Sequence, residues 1–182
     1  MKHLLLLLLV ASPAFAKMEA PASPLEAAPH HSRAMIEIVE RLSEAHYQPH
    51  EIDDELSTDL LNHYIDALDH DKSFFLQADI DDFNQWSTRL DDMIKRGDLS
   101  AAFIIYNRYL SLASARWERN IELLSDQTIF DLSNDDSIML DDDDLAWAVT
   151  LDELDNRWRK KLKDAYLRLK LSDKSADEAK EL

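Results

Sequence analysis

Cysteine is absent from this chain, a single glycine stands at Gly97, and all five prolines lie at or before Pro49. Each absence excludes something. Without cysteine there is no disulfide framework, no acylation site of the lipoprotein kind and no thiol nucleophile, so packing alone must hold the fold. One glycine cannot build a phosphate-cradling loop, a GxSxG nucleophile elbow or a dinucleotide fingerprint. No serine stands three residues before a lysine, so the local S-x-x-K arrangement is missing too. Sheet proteins need glycine at their hairpins. From His50 onward there is one glycine and no proline, and this predicts an all-α fold.

Positive charge is also scarce. The formal net charge is −17. Nucleic acid and anionic membrane surfaces are poor partners for such a body, and no nucleic acid is expected, because phosphate binding needs a positive field. The basic residues concentrate near the C-terminus, at Arg157, Arg159, Lys160, Lys161, Lys163, Arg168 and Lys170. A helix so charged is either a solvated face or a docking surface for an acidic neighbour.

Long apolar runs occur once, at the start. MKHLLLLLLVASPAFA has a basic residue, a leucine run and Ala14-Phe15-Ala16 as a small-x-small site. It is expected to be a secretory signal peptide over 1–16, too short to span a bilayer. Residues 17–31, rich in Ala and Pro, are expected to form a flexible leader, and 32–182 the helical domain. The mature chain is expected to be exported, periplasmic in a bacterium, and without stable membrane insertion once the signal is cleaved.

What is present is helical periodicity. Apolar spacing predicts about five helices. The first runs from about Ser32 to His46, with Pro49 closing it, and the second from about Asp53 to Asp69. The third carries Ile80, Phe83, Trp86, Leu90, Met93 and Ile94, and ends at Gly97. Asp98 is placed to cap the fourth, whose predicted buried stripe is Leu99, Phe103, Tyr106, Leu110, Ala113, Trp117, Ile121 and Leu124. Helices three and four read as an antiparallel hairpin about Gly97. Ser125 to Asp144 is a long acidic connector, pinned at Ile129-Phe130 and Ile138-Met139-Leu140. Thr150 to Glu153 is a capping box opening a fifth helix, whose stripe is Leu154, Trp158, Leu162, Tyr166 and Leu169. Part of that stripe is expected to face water, because SDKSADEAKEL begins a helical pattern without an apolar face and the domain reads as incomplete at its C-terminus.

Three places offer candidate metal ligands. His46 and His50 are separated by Pro49, which interrupts the helix that would align them. His63, Asp66, Asp69 and His70 can share one helix face, but solvated histidines on an acidic helix are the better reading. Asp141 to Asp144 lacks the alternate ligands and central glycine of a calcium loop. No catalytic, cofactor-binding or metal-binding residue is assigned, and no cofactor is expected. The stretch ALDHDKSFFLQADIDDF reads as a packed corner: a turn at His70 to Ser73, Phe74-Phe75-Leu76 as a plug, and Asp79, Asp81 and Asp82 in the first turn of the next helix.

That corner also carries a family likeness. AHYQPHEIDDELSTDLLNHYIDALDHDKSFFLQADIDDF, RGDLSAAFIIYNRYLSLASARWERNIELL and, more weakly, Leu154 to Leu171 around Trp158 resemble the N-terminal domain of the tail-specific proteases, or carboxy-terminal processing peptidases. The resemblance runs from about Ser32 to the end of the chain. One departure is Ala78, where relatives tend to have a serine cap. The resemblance implies a parent enzyme with a PDZ domain and a Ser-Lys catalytic core, neither of which is matched here. The implied whole-protein activity is endoproteolysis of periplasmic proteins recognised at apolar C-termini. The chain is therefore expected to be a non-catalytic module whose partners are the PDZ and protease domains of its parent, and protein substrates. A stand-alone adaptor or inhibitor of a related protease is the alternative.

Overall fold

The second helix shows how this sequence makes its core. In a computed structural model that describes residues 23–45, 51–131, 133, 136–138 and 145–172, Ser57, Leu61, Ile65 and Asp69 are the buried positions of the helix Asp54–Asp69. They lie four residues apart on one line, apolar in the middle and polar at both ends. Asp53 starts the helix by accepting a hydrogen bond from the Leu56 N–H at 3.0 Å.

Six α-helices occur among the described residues: α1 (Pro29–Ala45), α2 (Asp54–Asp69), α3 (Gln77–Phe83), α4 (Leu90–Lys95), α5 (Ser100–Ser125) and α6 (Leu151–Leu171). No strand is found among them, and no helix is long and apolar enough to cross a membrane. The all-α expectation holds. Helix α1 starts at Pro29, three residues earlier than Ser32, because proline suits the first helical position.

One expected helix is two. After α3 the chain tightens into a 3-10 turn over Asn84–Trp86, and α4 begins only at Leu90. The apolar period continues across the break, so tertiary contacts decide it. The Ser57 hydroxyl donates to the Asp91 carboxylate at 2.9 Å and accepts from the Asp91 N–H at 2.8 Å. Thr58 donates to the Ser87 carbonyl, one of those the break leaves free. The pair ties α2 to the start of α4 in a place where both groups are buried.

At Gly97 the sequence reading is met in detail. Its φ is +68°, Gly97 N–H donates to the Ile94 carbonyl, and Asp98 N–H donates to the Met93 carbonyl, a complete Schellman close. Asp98 then accepts from the Ser100 N–H at 2.9 Å, capping α5 from two residues upstream. A Cβ at Gly97 would lie 2.8 Å from the Ser32 carbonyl oxygen of α1. Gly97→Ala is expected to cost at least the roughly 1–2 kcal/mol of a left-handed residue. It is also expected to loosen α1, seen as a lower unfolding midpoint with faster amide exchange over Ser32 to Val39.

Helix α5 buries only Ala113 of the expected stripe, with Leu99, Phe103, Tyr106, Leu110 and Leu124 half-buried. Ala101, Ile105, Ala113 and Arg116 are its buried residues, while Trp117 is 40% and Ile121 53% exposed. The helix is apolar on two sides, and the large side chains mark the outer one. Small Ala101 and Ala113 let α5 approach its neighbours closely, and Arg116 turns inward to meet Asp155 of α6. Trp117 is therefore not the core anchor. That part is taken by Phe75, packed with Leu61, Ile65, Phe83 and Ile105.

The stripe of α6 is more covered than expected. Leu154 and Tyr166 are buried, the Tyr166 ring lies 4.6 Å from that of Phe130, and Trp158 meets Phe74 edge-on. Phe130 is thus a true pin of the connector, and Ile138 is half-buried. Met139, Leu140, Asp141 to Asp144, His46, Tyr47, Pro49, His50, residues 1–22 and residues 173–182 lie outside the described residues.

Candidate functional site

The corner between α2 and α3 is built around one carboxylate. Asp69 is 2% exposed and accepts from three successive backbone N–H groups: Ser73 at 2.6 Å, Phe74 at 2.9 Å and Phe75 at 2.8 Å. This holds the turn at Asp71 to Ser73 and delivers Phe75, fully buried, into the core. Burial pushes the Asp69 carboxyl above its ordinary value, against the pull of those donors and of Lys161. Lys72, inside the turn, has φ +49°. Its ammonium donates to the Leu145 carbonyl at 2.5 Å and lies over the Trp147 ring. A second carboxylate closes the far side. Asp79 accepts from the Leu76 N–H at 2.9 Å and from Arg108 of α5 at 2.7 Å. Helix α3 thus starts at Gln77, with Asp79 alone in its first turn; Asp81 and Asp82 lie further along. Ala78 is no cap position, since Leu76 holds it and Asp79 satisfies the Leu76 N–H.

Helix α6 grips this corner from outside. Trp158 donates its indole N–H to the Ser73 carbonyl at 2.7 Å, and Arg157 donates to the carbonyls of Lys72 and Ala146. Gln77 N–H reaches the Ala148 carbonyl at 2.8 Å. The basic residues of α6 therefore have acidic neighbours inside the chain. Arg159 makes a two-pronged contact with Asp136 and Lys163 joins it at 2.7 Å; Lys161 reaches Asp71, and Arg168 reaches Asp164. Much of the basic face of α6 is therefore turned to the chain's own acids, at Asp136 and Asp71.

Lys161 also donates to the Ser73 hydroxyl at 2.7 Å. The two residues are 88 apart in sequence, beyond any local motif search. A serine–lysine pair invites comparison with a nucleophile and its base, and the geometry argues against it. A base must accept the hydroxyl proton, but here the ammonium donates while Ser73 gives its own proton to the Asp71 carbonyl at 3.1 Å. Lys161 is also held by the Asp71 carboxylate at 3.2 Å. Ser73 is 2% exposed, so no peptide carbonyl reaches it. The pair locks α6 onto the corner.

The histidines are not gathered. His63 Nδ1 is paired with the Asp59 carbonyl, His70 with Asp66 at the surface, and Asp69 is turned inward. No group of three potential ligands occurs among the described residues.

Docking of α6 has a pH signature. Burial works to raise the Asp155 carboxyl, but Arg116 and Arg119 outweigh it and hold it below its ordinary 3.8. Arg159 and then Lys163 hold Asp136 far lower still. Both acids are thus depressed in the fold, so their stabilisation is present above about pH 3.8 and is lost as pH falls through the native values. Asp69, raised, runs the other way. The urea midpoint is expected to stay flat from about pH 7 to 5 and drop below about pH 4, with a smaller drop in Asp155→Asn.

The family model for the tail-specific protease N-terminal domain matches residues 38–182. A tail-specific protease of Haemophilus influenzae is 35% identical over 141 residues, which make up 77% of this chain and 20% of that protein. The chain spans about a fifth of the length of this curated relative. The family match over 38–182 takes in the corner, α5 and α6, and the chain belongs to the tail-specific protease family, as its N-terminal domain.

Proposed function

We propose that this chain is a non-catalytic scaffold module of an exported tail-specific serine protease, one that degrades or processes periplasmic proteins recognised at apolar C-termini. The observation that carries the scaffold reading is the use of the corner. Its polar groups are spent on backbone donors and on α6, with the serine buried and bonded in the sense opposite to catalysis. The partners are then the PDZ and protease domains of the parent enzyme. Export rests on the leucine run and small-x-small site at the N-terminus. A protease of this family from which the segment matching 38–171 is deleted is expected to lose degradation of a reporter protein with an apolar tail. A deletion enzyme as active as the whole would sink the proposal.

A further inference from the structure

Helix α1 stands apart from the body that it covers. None of the residues gathered in the core around Phe75 comes from it, and among its described residues Val39 alone is buried, while Ile38 and Leu42 are exposed. Its main packing partner is α4, and its first turns press on Gly97 through Ser32 and Ile36. The segment ahead of α1 adds a tie made through the backbone. The Asn107 amide of α5 donates to the Leu25 carbonyl at 2.9 Å and accepts from the Leu25 N–H at 2.8 Å. One side chain thus holds both backbone groups of a residue 82 positions away, which needs a donor and an acceptor on one planar group. Leu25 itself is 40% exposed, so its side chain is a minor part of the hold. From there the chain enters α1 through Ala28, whose N–H donates to His31 Nδ1 at 3.2 Å and whose carbonyl accepts from the His31 N–H at 2.9 Å. The His31 ring stacks on Phe103 of α5.

We propose that residues 24–28 are a strap, latched by Asn107, that closes α1 onto the body, and that strap and α1 open together while α2 to α6 stay folded. The latch bonds lie at the surface, where water competes for both backbone groups, and opening takes no residue out of the core. It uncovers the apolar side of α1, at Met35, Ile36 and Val39, and the α4 surface beneath it. Asn107 is a positioning residue, since it acts on α1 through the strap.

Native-state amide exchange of the full chain in low urea reads the opening directly. Residues 33–42 are expected to exchange as one group, and faster than Leu61, Ile65 and Ile105 in the core. Asn107→Ala is expected to speed that group at least about fivefold, as the loss of a surface hydrogen-bond pair predicts, and to leave the core amides unchanged. Leu25→Pro removes the N–H that the latch holds and is expected to act like Asn107→Ala. Leu25→Ala keeps both backbone groups and is expected to change the rates by less than about twofold. Trypsin gives a second readout. Cleavage after Arg41, exposed on α1, is expected to quicken in Asn107→Ala and Leu25→Pro and to stay unchanged in Leu25→Ala. Exchange of α1 in step with the core of the parent chain, an α1 unchanged by Asn107→Ala, or equal effects of Leu25→Ala and Leu25→Pro would overturn the proposal. So would a rise across the core amides in Asn107→Ala, which would make Asn107 part of the body and not a latch on it.

Discussion

Asp69→Ala is expected to destabilise the domain by about 3–5 kcal/mol, enough to unfold much of it at 25 °C. The carboxylate accepts three backbone N–H groups in a place that water does not reach. Alanine leaves all three without a partner, and each unsatisfied buried donor costs roughly 1–3 kcal/mol, partly relieved as the turn relaxes. Asparagine does not rescue it, because its amide NH2 would confront donors rather than acceptors. Asp66→Ala, one turn earlier on the exposed face, is expected to stay within about 0.5 kcal/mol, since its partner is the surface His70. Urea unfolding of both variants checks the contrast, and equal midpoints would remove Asp69 from its place in the account.

Phe75→Ala is the second large effect, at about 3–5 kcal/mol. Phe75 is fully buried, its ring 5.2 Å from Phe83, 6.1 Å from Tyr109 and 6.3 Å from Trp147. Those rings come from α3, α5 and the approach to α6, so truncation opens a cavity where three parts of the chain meet. The expected result is a fall in melting temperature well beyond that of Trp117→Ala, whose ring is 40% exposed. Denaturant melts of the two variants read this directly; a larger loss at Trp117 would restore the face expected from its spacing.

Much of the fold was legible because the helix signals are local. Asp53, Gly97, Asp98 and Thr150 do what their residue types predict: Thr150 accepts the Glu153 N–H, and Glu153 reaches back to the N–H of Val149. In two places periodicity is not sufficient. The stripe on α5 buries Ala113 but leaves Trp117 and Ile121 exposed, because burial there is decided by small alanines and an arginine whose partner lies 39 residues away. The break between α3 and α4 was hidden because Ser57 and Asp91 find each other across 34 residues.

The corner is legible in the sequence, but what holds it is not. Helix dipoles and solvent do not account for the acids there: Asp69 and Asp79 are buried acceptors of backbone N–H groups. A hint was available: a carboxylate ending a helix, followed at once by a turn and two phenylalanines that must be buried with their N–H groups satisfied. The grip of α6 had no such hint, because Ser73 and Lys161 are joined only by the fold.

The most direct test of the central claim follows from that pair. Purified chain is incubated with an unfolded reporter ending in apolar residues, beside Ser73→Ala and Lys161→Ala. The account predicts an intact reporter with all three proteins, and lowered thermal stability as the sole difference between the variants and the parent chain. Cleavage that scales with added chain and disappears in Ser73→Ala would contradict it, making the buried pair a catalytic one.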